Sequence, residues 1–409
     1  MKIRKSIEQY VIPYATAVYG KEEKRAVMKV LESRWLGPAK NTKEFENKIA
    51  ALFGKKYGLF VNSGSSANLL ALLICKFPKG GEVITPACTF GTTLSPILYN
   101  GLVPVFVDSE PGSYNAKIED IEKAISKKTV AIMLPDTTGM LNDWPRIQKL
   151  ARKNKLIVIQ DSCDTQGALI HGKPSGSWAD IVTTSSYYTH TITTAGGGGM
   201  VMMNDPELRR RAEVFATWGR RNIGYNEDVR ERFNVTLSHP AHKGDVDYDG
   251  KFVWDEIGFN LRATDMQAAF GLEQFKKLKK FNAQRRSVTK ALMGFFKKYE
   301  KDFILPEFLA DSEHSLLAFP ISIRPKSRIN RKELLTHLEM NGIQTRLLFA
   351  GNILFHPAYQ KIRHRKIGNL SGATFIMKQT FLLPNHHALT KEQLDYLFSV
   401  FAKYMGKYE

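Results

Sequence analysis

The sequence predicts an α/β protein with a seven-stranded, mostly parallel sheet, followed by a smaller α+β domain. Between about residues 45 and 215, short runs of β-branched residues alternate with helical patterns, which is typical of parallel sheets. After Ala263 the pattern changes to one long helix and a shorter set of elements. A chain of 409 residues is also too long for one compact core, so two domains are expected.

Seven apolar runs in the first region are the candidate strands, and turn or polar residues bound each of them. In chain order they are 57–63 (YGLFVNS), 82–86 (EVITP), 103–108 (VPVFVD), 129–135 (TVAIMLP), 155–161 (KLIVIQD), 180–186 (DIVTTSS) and 199–204 (GMVMMN). Helical patterns at 65–76, 92–100, 115–125 and 143–154 follow the first four. Sheets of this kind place ligands at the carboxyl ends of their strands.

The second region begins with a continuous helical pattern over residues 264–299, which is the expected connector. A strand at 314–325, a helix at 331–341, a strand at 343–349 and a terminal helix after Thr390 complete it. We therefore expect a large α/β domain with an N-terminal arm over residues 1–262, and a small C-terminal domain over residues 263–409.

Composition limits the classes of function. The net charge of +19 would suit nucleic acid, a membrane surface or an anionic small substrate, but no helix-turn-helix, RNA-recognition or zinc pattern accompanies it. No apolar run is as long as a membrane helix, and the N-terminus lacks a secretory apolar segment. Cys75, Cys88 and Cys163 are too few for a disulfide framework. We expect a soluble cytoplasmic protein that binds neither nucleic acid nor membrane.

One polar group at a strand end is the segment 62–70 (NSGSSANLL). The predicted strand leads into Gly64 and then directly into a helix whose first turn carries Ser65 and Ser66. Free N–H groups at a helix start, together with serine hydroxyls, suit a phosphate. An ordinary serine N-cap explains the same residues equally well.

Two further groups lie at other strand ends. Asp161 ends a nearly all-apolar strand, and a buried carboxylate needs a partner, such as a protonated ring nitrogen or a helix N-terminus. Ser185 ends the next strand and is followed by His190 and four glycines, 196–199, which permit positive φ and close backbone approach. Taken alone, His190 reads as an ordinary loop histidine.

Taken together, these groups predict a phosphate-bearing aromatic cofactor. The phosphate would lie at the first helix and Ser185, the ring nitrogen would lie at Asp161, and Phe90 would cover a face of the ring. That description fits pyridoxal 5′-phosphate (PLP), whose ring a protein orients and tunes.

The chain resembles the DegT/DnrJ/EryC1/StrS sugar aminotransferase family of fold-type I PLP enzymes, which have the aspartate aminotransferase fold. The resemblance extends over nearly the whole chain. Its motifs are 18–38 (VYGKEEKRAVMKVLESRWLGP), 62–72 (NSGSSANLLAL), 86–93 (PACTFGTT), 160–168 (QDSCDTQGA), 257–275 (IGFNLRATDMQAAFGLEQF) and 345–352 (TRLLFAGN).

His190 stands where most members of that family carry the lysine that forms a Schiff base with PLP. No lysine lies between Lys173 and Lys243, and histidine cannot form that link. The resemblance is therefore to the 3-dehydratase branch, which acts on nucleotide-linked 4-keto-6-deoxysugars in deoxysugar and O-antigen biosynthesis. It implies pyridoxamine phosphate as the working cofactor, held noncovalently. His190 would be the catalytic base, because its reference pKa is near neutral.

The resemblance also implies roles for other residues. The cofactor would be bound by Gly64, Ser65, Ser66, Phe90, Asp161, Asp164 (near the ring hydroxyl) and Ser185. Asn260 would reach the phosphate of the cofactor in a neighbouring subunit, which implies a homodimer. Arg346 and Asn352 would contact the sugar nucleotide.

The dehydratase branch has two styles, one with a [2Fe–2S] cluster and a reductase partner, the other using L-glutamate as amino donor. A cluster needs about four thiolates, and the expected region, 218–233 (WGRRNIGYNEDVRERF), has no cysteine. We expect no cluster, so the glutamate-dependent style fits better.

Two features depart from the family or invite another reading. The run AGGGGM replaces a usual Gly-Glu-Gly-Gly pattern and loses its acid. Residues 245–256 (DVDYDGKFVWDE) fit the spacing of a calcium loop, but the flanking sequence does not predict helices, so we expect an acidic surface loop and no metal site. A sugar aminotransferase and a noncatalytic paralogue are the alternative functions. The missing lysine opposes the first, and the retained Asp161, Ser185 and Phe90 oppose the second.

Overall fold

The computed structural model describes residues 10–221 and 229–408. The α-helices in these ranges are α1 (Lys21–Ser33), α2 (Lys40–Leu52), α3 (Gly64–Leu73), α4 (Gly91–Tyr99), α5 (Ile118–Ala124), α6 (Trp144–Lys153), α7 (Pro206–Ala216), α8 (Val229–Phe233), α9 (Asp265–Lys297), α10 (Arg331–Met340), α11 (Ser371–Gln379) and α12 (Lys391–Met405). The strands are β1 (Tyr57–Val61), β2 (Glu82–Pro86), β3 (Val103–Val107), β4 (Thr129–Pro135), β5 (Ile157–Asp161), β6 (Leu169–Ile170), β7 (Lys173–Pro174), β8 (Ile181–Ser185), β9 (Gly199–Met203), β10 (Val235–His239), β11 (His242–Tyr248), β12 (Phe303–Ile304), β13 (Ser312–Glu313), β14 (Ala318–Ile323), β15 (Arg365–Lys366) and β16 (Thr380–Pro384).

The central sheet has the strand order β1-β9-β8-β5-β4-β2-β3-β15. Strand β9 runs antiparallel to both of its neighbours, and all other pairs are parallel. The seven predicted strands and their mostly parallel arrangement are confirmed. The two-residue strand β15 adds an eighth strand at one edge.

The strands are apolar on both faces because helices cover both sides of the sheet. In β1, Leu59 and Val61 belong to the core on one side, whereas Phe60 between them belongs to the core on the other. Leu70 of α3 packs in the first core, and Ile147 of α6 packs in the second. The helices on both faces hold the strands in place, including the strand ends where the candidate site residues lie.

Helix α9 connects the central sheet to the second set of elements, as predicted. Thr264 caps it in a reciprocal capping box with Gln267. Its 33 residues span about 50 Å, at 1.5 Å of rise per residue. Near its start, Ala268 packs in the core of the large sheet, and near its end Phe296 stacks on Phe319 of β14. The proposed domain boundary at residues 262 and 263 stays a prediction.

The predicted strand at 343–349 is wrong. Only isolated bridges form there, one of them between Arg346 and Leu382, and Phe349 then takes a left-handed φ of 45° that turns the chain away. The small antiparallel sheet has the order β12-β14-β16, so its third strand is the fully buried β16, which the sequence reading missed.

The calcium-like segment 245–256 forms part of a β-hairpin and its exit. Strand β11 pairs with β10, and the acidic side chains go to separate partners. Asp247 accepts a hydrogen bond from Thr236, Asp249 pairs with Arg232, and Glu256 pairs with Lys76. Within residues 10–221 and 229–408, no group of three or more His, Cys, Asp or Glu side chains could hold a metal ion. In the same ranges, no helix has the length and apolar character needed to cross a membrane.

Candidate active site

A cavity of about 780 Å³ opens at the carboxyl ends of β1, β4, β5 and β8, where the sheet rule predicts a site. Arg346, Leu347 and Phe349 of the C-terminal region close one side of it. Eight of the predicted site residues line this cavity: Gly64, Ser65, Phe90, Asp161, Asp164, Ser185, His190 and Arg346. Predicted residues Ser66, Asn260 and Asn352 do not line it.

Asp161 lies at the floor of the cavity and is 5% exposed. Its Oδ2 accepts hydrogen bonds from Asn68 Nδ2 at 2.8 Å and from Thr93 Oγ1 at 2.7 Å, and its Oδ1 accepts one from the Cys163 N–H at 3.2 Å. All three donors are neutral, so the negative charge of the carboxylate is not balanced by them. A cationic group of a bound ligand would complete this environment.

The first turn of α3 also lines the cavity. Ser63 caps the helix by accepting from the Ser66 N–H, and Ser65 Oγ donates to Thr92 Oγ1 at 2.8 Å. The backbone of Gly64 lies so close to β8 that a Cβ atom there would be 2.7 Å from the Cβ of Ser185. A suitable anion site therefore lies here. It combines the backbone N–H groups at the start of α3, the hydroxyls of Ser65 and Ser185, and the positive end of the helix dipole.

His190 and Asp164 form a pair in the wall of the cavity. Their side chains are 11% and 10% exposed, and His190 Nε2 is 3.3 Å from Asp164 Oδ1. The other carboxylate oxygen of Asp164 accepts from the backbone N–H of Thr138 at 3.1 Å. His190 Nδ1 is buried and has no hydrogen-bond partner in the protein.

Gln166 holds the segment that carries His190, and the sequence reading did not identify it. Its Nε2 donates to the carbonyl of Ser185 at 2.9 Å, and its Oε1 accepts from the Ile192 N–H at 2.7 Å. Asn282 of α9 donates in turn to the Gln166 carbonyl. The two ends of the His190 segment are therefore fixed to one buried side chain.

The four-glycine run returns the chain from this segment into β9. Gly196 and Gly198 have φ values of 101° and 141°, which other residues rarely adopt. At Gly199 a Cβ atom would lie 2.3 Å from the carbonyl carbon of Ser63. Gly197 differs, because the nearest atom to its added Cβ would be 3.6 Å away. Three of the glycines are required by the backbone, and Gly197 is the one that has room for a side chain.

These contacts predict opposite results for two glycine-to-alanine changes. Gly199→Ala should destabilise the protein by about 1–3 kcal/mol, because its methyl group overlaps the backbone of Ser63. Gly197→Ala should leave the midpoint of thermal unfolding nearly unchanged. Equal losses in the two variants would contradict the arrangement described for this run.

The cavity also contains side chains that sequence reasoning missed. Thr92 follows Phe90 by two residues, so the same strand-to-helix turn could have indicated it. Tyr187 and Tyr188 lie between the predicted residues Ser185 and His190, so that segment could have indicated them as well. No local signal points to Tyr14 and Thr138, which approach from other parts of the chain.

The three predicted residues outside the cavity have other surroundings. Ser66 Oγ donates to Asn62 Oδ1 at 2.7 Å. Asn352 is buried, donates to Thr374 and accepts from the Leu354 N–H. Asn260 is exposed beside Thr217. Their roles in ligand binding remain predictions.

Comparisons with known proteins agree over nearly the whole chain. The profile of the DegT/DnrJ/EryC1/StrS aminotransferase family matches residues 18–402. The lipopolysaccharide biosynthesis protein RfbH of Salmonella typhimurium is 36% identical, over 97% of this chain and 92% of its own. The dTDP-4-dehydro-2,6-dideoxy-D-glucose 3-dehydratase of Saccharopolyspora spinosa is 35% identical, over 96% of this chain and 86% of its own. A crystal structure of GDP-4-keto-6-deoxymannose-3-dehydratase with a trapped PLP-glutamate geminal diamine superimposes with a TM-score of 0.86 and 27% identity, covering 95% of this chain and 100% of that one.

Proposed function

Because the chain belongs to the DegT/DnrJ/EryC1/StrS aminotransferase family, with the predicted fold-type I architecture, we propose that it is a PLP-dependent 3-dehydratase of a nucleotide-linked 4-keto-6-deoxyhexose. The reaction would serve the biosynthesis of deoxysugars for O-antigen or a related glycan. One observation carries the proposal: His190, paired with Asp164, lines the cavity, and no lysine among the described residues does.

The residues of the cavity fit PLP. Asp161, whose donors are all neutral, would hold the protonated ring nitrogen. The first turn of α3, with Ser65 and Ser185, would hold the phosphate, and the absence of a side chain at Gly64 lets these groups converge. Phe90 lines the cavity and is 54% exposed, so its ring could cover the cofactor ring. Ser66 would have to give up its bond to Asn62 to join them.

In its amine form, the bound cofactor supplies a nitrogen that condenses with the sugar ketone and a ring that acidifies nearby C–H bonds. His190 would accept the proton that this chemistry releases. The same imidazole would then protonate the departing C3 hydroxyl, so that it leaves as water. Arg346, exposed at the opening of the cavity, would pair with the phosphates of the sugar nucleotide. Asn352 acts on that nucleotide only if its bond to Thr374 opens.

L-Glutamate is the proposed amino donor that restores the amine form. The relative with a trapped PLP-glutamate adduct supports this choice. The described cysteines give it indirect support, because Cys88 lies in the apolar core, Cys75 packs against that core, and Cys163 lines the cavity next to Asp161. The region in which a cluster would be expected lies partly outside the described residues, at 222–228.

The test is incubation of the PLP-loaded protein with GDP-, CDP- and dTDP-linked 4-keto-6-deoxysugars, with and without L-glutamate. We expect mass spectrometry to show glutamate-dependent loss of the C3 oxygen from one of them. Transfer of nitrogen to the sugar would instead indicate an aminotransferase, and no turnover of the panel would oppose the proposal. Borohydride should leave no PLP attached to the chain, because His190 cannot bind it covalently.

We also propose that the protein acts as a homodimer, as the role predicted for Asn260 requires. Asn260 follows Ile257, which is 95% exposed, and Phe259, also exposed. Trp218 and Trp254 add exposed apolar surface, and both strands of the adjacent β10–β11 hairpin are largely solvent-exposed. An apolar surface of this kind is typical of a protein interface.

Ile257→Asp should therefore weaken the dimer by about 3 kcal/mol or more, roughly 100-fold in dissociation constant, because each copy would bury an unpaired charge. Light scattering after size-exclusion chromatography measures the mass at several concentrations. Met340→Asp is the matched control, since Met340 is also highly exposed but lies at the end of α10. If Ile257→Asp leaves the mass of two chains unchanged, this surface is not the interface.

A further inference from the structure

We propose that Tyr14 is a substrate-binding residue, whose hydroxyl donates a hydrogen bond to an oxygen of the hexose while the nucleotide phosphates lie beyond it at Arg346. The inference rests on the proposed function for the class of ligand, a nucleotide-linked hexose. Tyr14 belongs to the segment that precedes α1, far in sequence from the strand ends that form most of the cavity.

The Tyr14 hydroxyl is open to a ligand. The residue lines the cavity and is half-buried. Within residues 10–221 and 229–408, no group hydrogen-bonds the phenol oxygen, and that oxygen is not one of the buried polar atoms that lack a partner. It therefore keeps accessible surface. A few such polar groups on the wall of a cavity are what orients a bound ligand, and this one can bind without giving up a contact inside the protein.

The C-terminal region holds Tyr14 in a fixed position. The Tyr14 N–H donates to Gln344 Oε1 at 2.8 Å, and the carbonyl of the preceding Pro13 accepts from His386 Nε2 at 3.1 Å. Ile12 is fully buried, and its carbonyl accepts from the Gln344 N–H at 2.9 Å. A side chain on a backbone anchored in this way has little freedom to lose when a ligand binds, which favours affinity.

The position of Tyr14 matches that of a sugar held between cofactor and nucleotide. The guanidinium of Arg346, the residue assigned to the phosphates, lies over the Tyr14 ring at 5.3 Å from the ring centroid. The hydroxyl end interacts electrostatically with Asp164, which lies in the wall of the cavity beside His190. A hexose whose C4 carbon meets the cofactor, and whose anomeric oxygen carries the phosphates, would extend between the same two ends and lie beside the phenol.

The surroundings of Tyr14 keep its phenol neutral. Burial and the nearby Asp164 carboxylate raise the pKa of Tyr14, and the cations of Arg346 and Arg285 offset this only in part. A neutral phenol has one proton to donate. It suits an uncharged sugar oxygen, whereas Arg346 supplies the charge that the phosphates require. Because the phenol keeps its proton at neutral pH, Tyr14 binds the sugar without exchanging a proton with it.

The first measurement observes the phenol itself, by carbon NMR of protein labelled with ¹³C at the tyrosine Cζ atoms. The Tyr14 signal is assigned by its loss in Tyr14→Phe. PLP-loaded protein without L-glutamate has no amine form of the cofactor, so it binds a nucleotide sugar without turning it over. We expect a nucleotide-linked 4-keto-6-deoxysugar to shift the Tyr14 signal and the matching nucleoside diphosphate to leave it in place. A bound nucleotide sugar that leaves the signal unmoved would overturn the proposal.

The second measurement uses Tyr14→Phe, which removes the hydroxyl and keeps the ring beneath Arg346. We expect the dissociation constant of the nucleotide sugar, measured by titration calorimetry, to rise by about 3–10-fold, because one hydrogen bond is lost. The constants for the nucleoside diphosphate and for PLP should not change. Tyr19→Phe is the matched control, because Tyr19 lies in the same segment, contacts Phe270 and does not line the cavity. An equal loss of affinity for the nucleoside diphosphate would assign the phenol to the nucleotide and contradict the proposal.

The contact and the proposed function fail separately. If the native protein dehydrates the nucleotide sugar and Tyr14→Phe binds it with native affinity, Tyr14 is not a sugar contact and the proposed function stands. If the nucleotide sugar moves the Tyr14 signal and is not dehydrated when L-glutamate is added, the dehydratase function is removed and the contact stands.

Discussion

His190→Asn should lower the rate of dehydration by about 10²–10⁴-fold, the usual contribution of a general acid–base group. Asparagine can keep a hydrogen bond to Asp164 but has no nitrogen that takes up a proton near neutral pH. Because the segment carrying His190 is fixed by Gln166 through Ser185 and Ile192, the change should leave the cavity intact. Steady-state rates of water loss, measured at saturating sugar nucleotide, would record the effect.

A matched control is available at His171, where asparagine suits the left-handed φ of 50° and the side chain lies against Trp178, away from the cavity. His171→Asn should keep the native rate. The cofactor content of both variants should equal that of the native protein, since His190 is not assigned to cofactor binding. A His190→Asn protein that retains full activity would show that another group moves the proton.

The parts of the site that the sequence predicted are those that depend on local pattern. Gly64, Asp161 and Ser185 could be brought together because each follows a recognisable strand, and parallel strands end at the same edge of a sheet. The central sheet itself was predictable for the same reason. Apolar runs alternate with helical patterns many times, so a wrong assignment of one element would not change the predicted α/β fold class.

The missed parts depend on distant contacts. Tyr14 and Leu317 reach the cavity from opposite regions of the sequence, and Thr138 matters through the direction of a backbone N–H. No residue pattern encodes such a direction. The mistaken strand at 343–349 has a similar cause, because its apolar and β-favouring residues form only isolated bridges, Ile343 with Ile12 and Arg346 with Leu382, before the chain turns.

The resemblance supplied the remainder, with mixed outcomes. It placed His190 and Asp164 in one site, and the structure adds that the two side chains pair with each other. It also included Asn352, whose side chain already donates a hydrogen bond to Thr374 and accepts one from the Leu354 N–H. A motif fixes which residue is present, but the local hydrogen bonds decide what that residue is free to contact.

Asp161→Asn should weaken PLP binding by about 2–3 kcal/mol, roughly 30–150-fold, because it removes one charged partner of a charge-assisted hydrogen bond. Two donors, Asn68 Nδ2 and Thr93 Oγ1, converge on Oδ2, so the amide oxygen should take that position. The amide NH₂ would then replace Oδ1, where it faces the Cys163 N–H and can no longer accept a hydrogen bond from the protonated ring nitrogen of the cofactor. The rate of dehydration should fall by a larger factor than the affinity for PLP, because an unprotonated ring withdraws electrons less effectively.

Titration of the cofactor-free protein with PLP, followed by absorbance, separates this effect from a general loss of stability. Asp265→Asn is the matched control. Asp265 is also a buried carboxylate with neutral donors, which are the Ala39 and Thr42 N–H groups and the side chains of Asn41 and Thr42. Both variants should unfold at lower temperature, because each turns an NH₂ group toward a donor. Only Asp161→Asn should lose affinity for PLP. If the two variants bind PLP alike, Asp161 supports the fold at the end of β5 without contacting the cofactor ring.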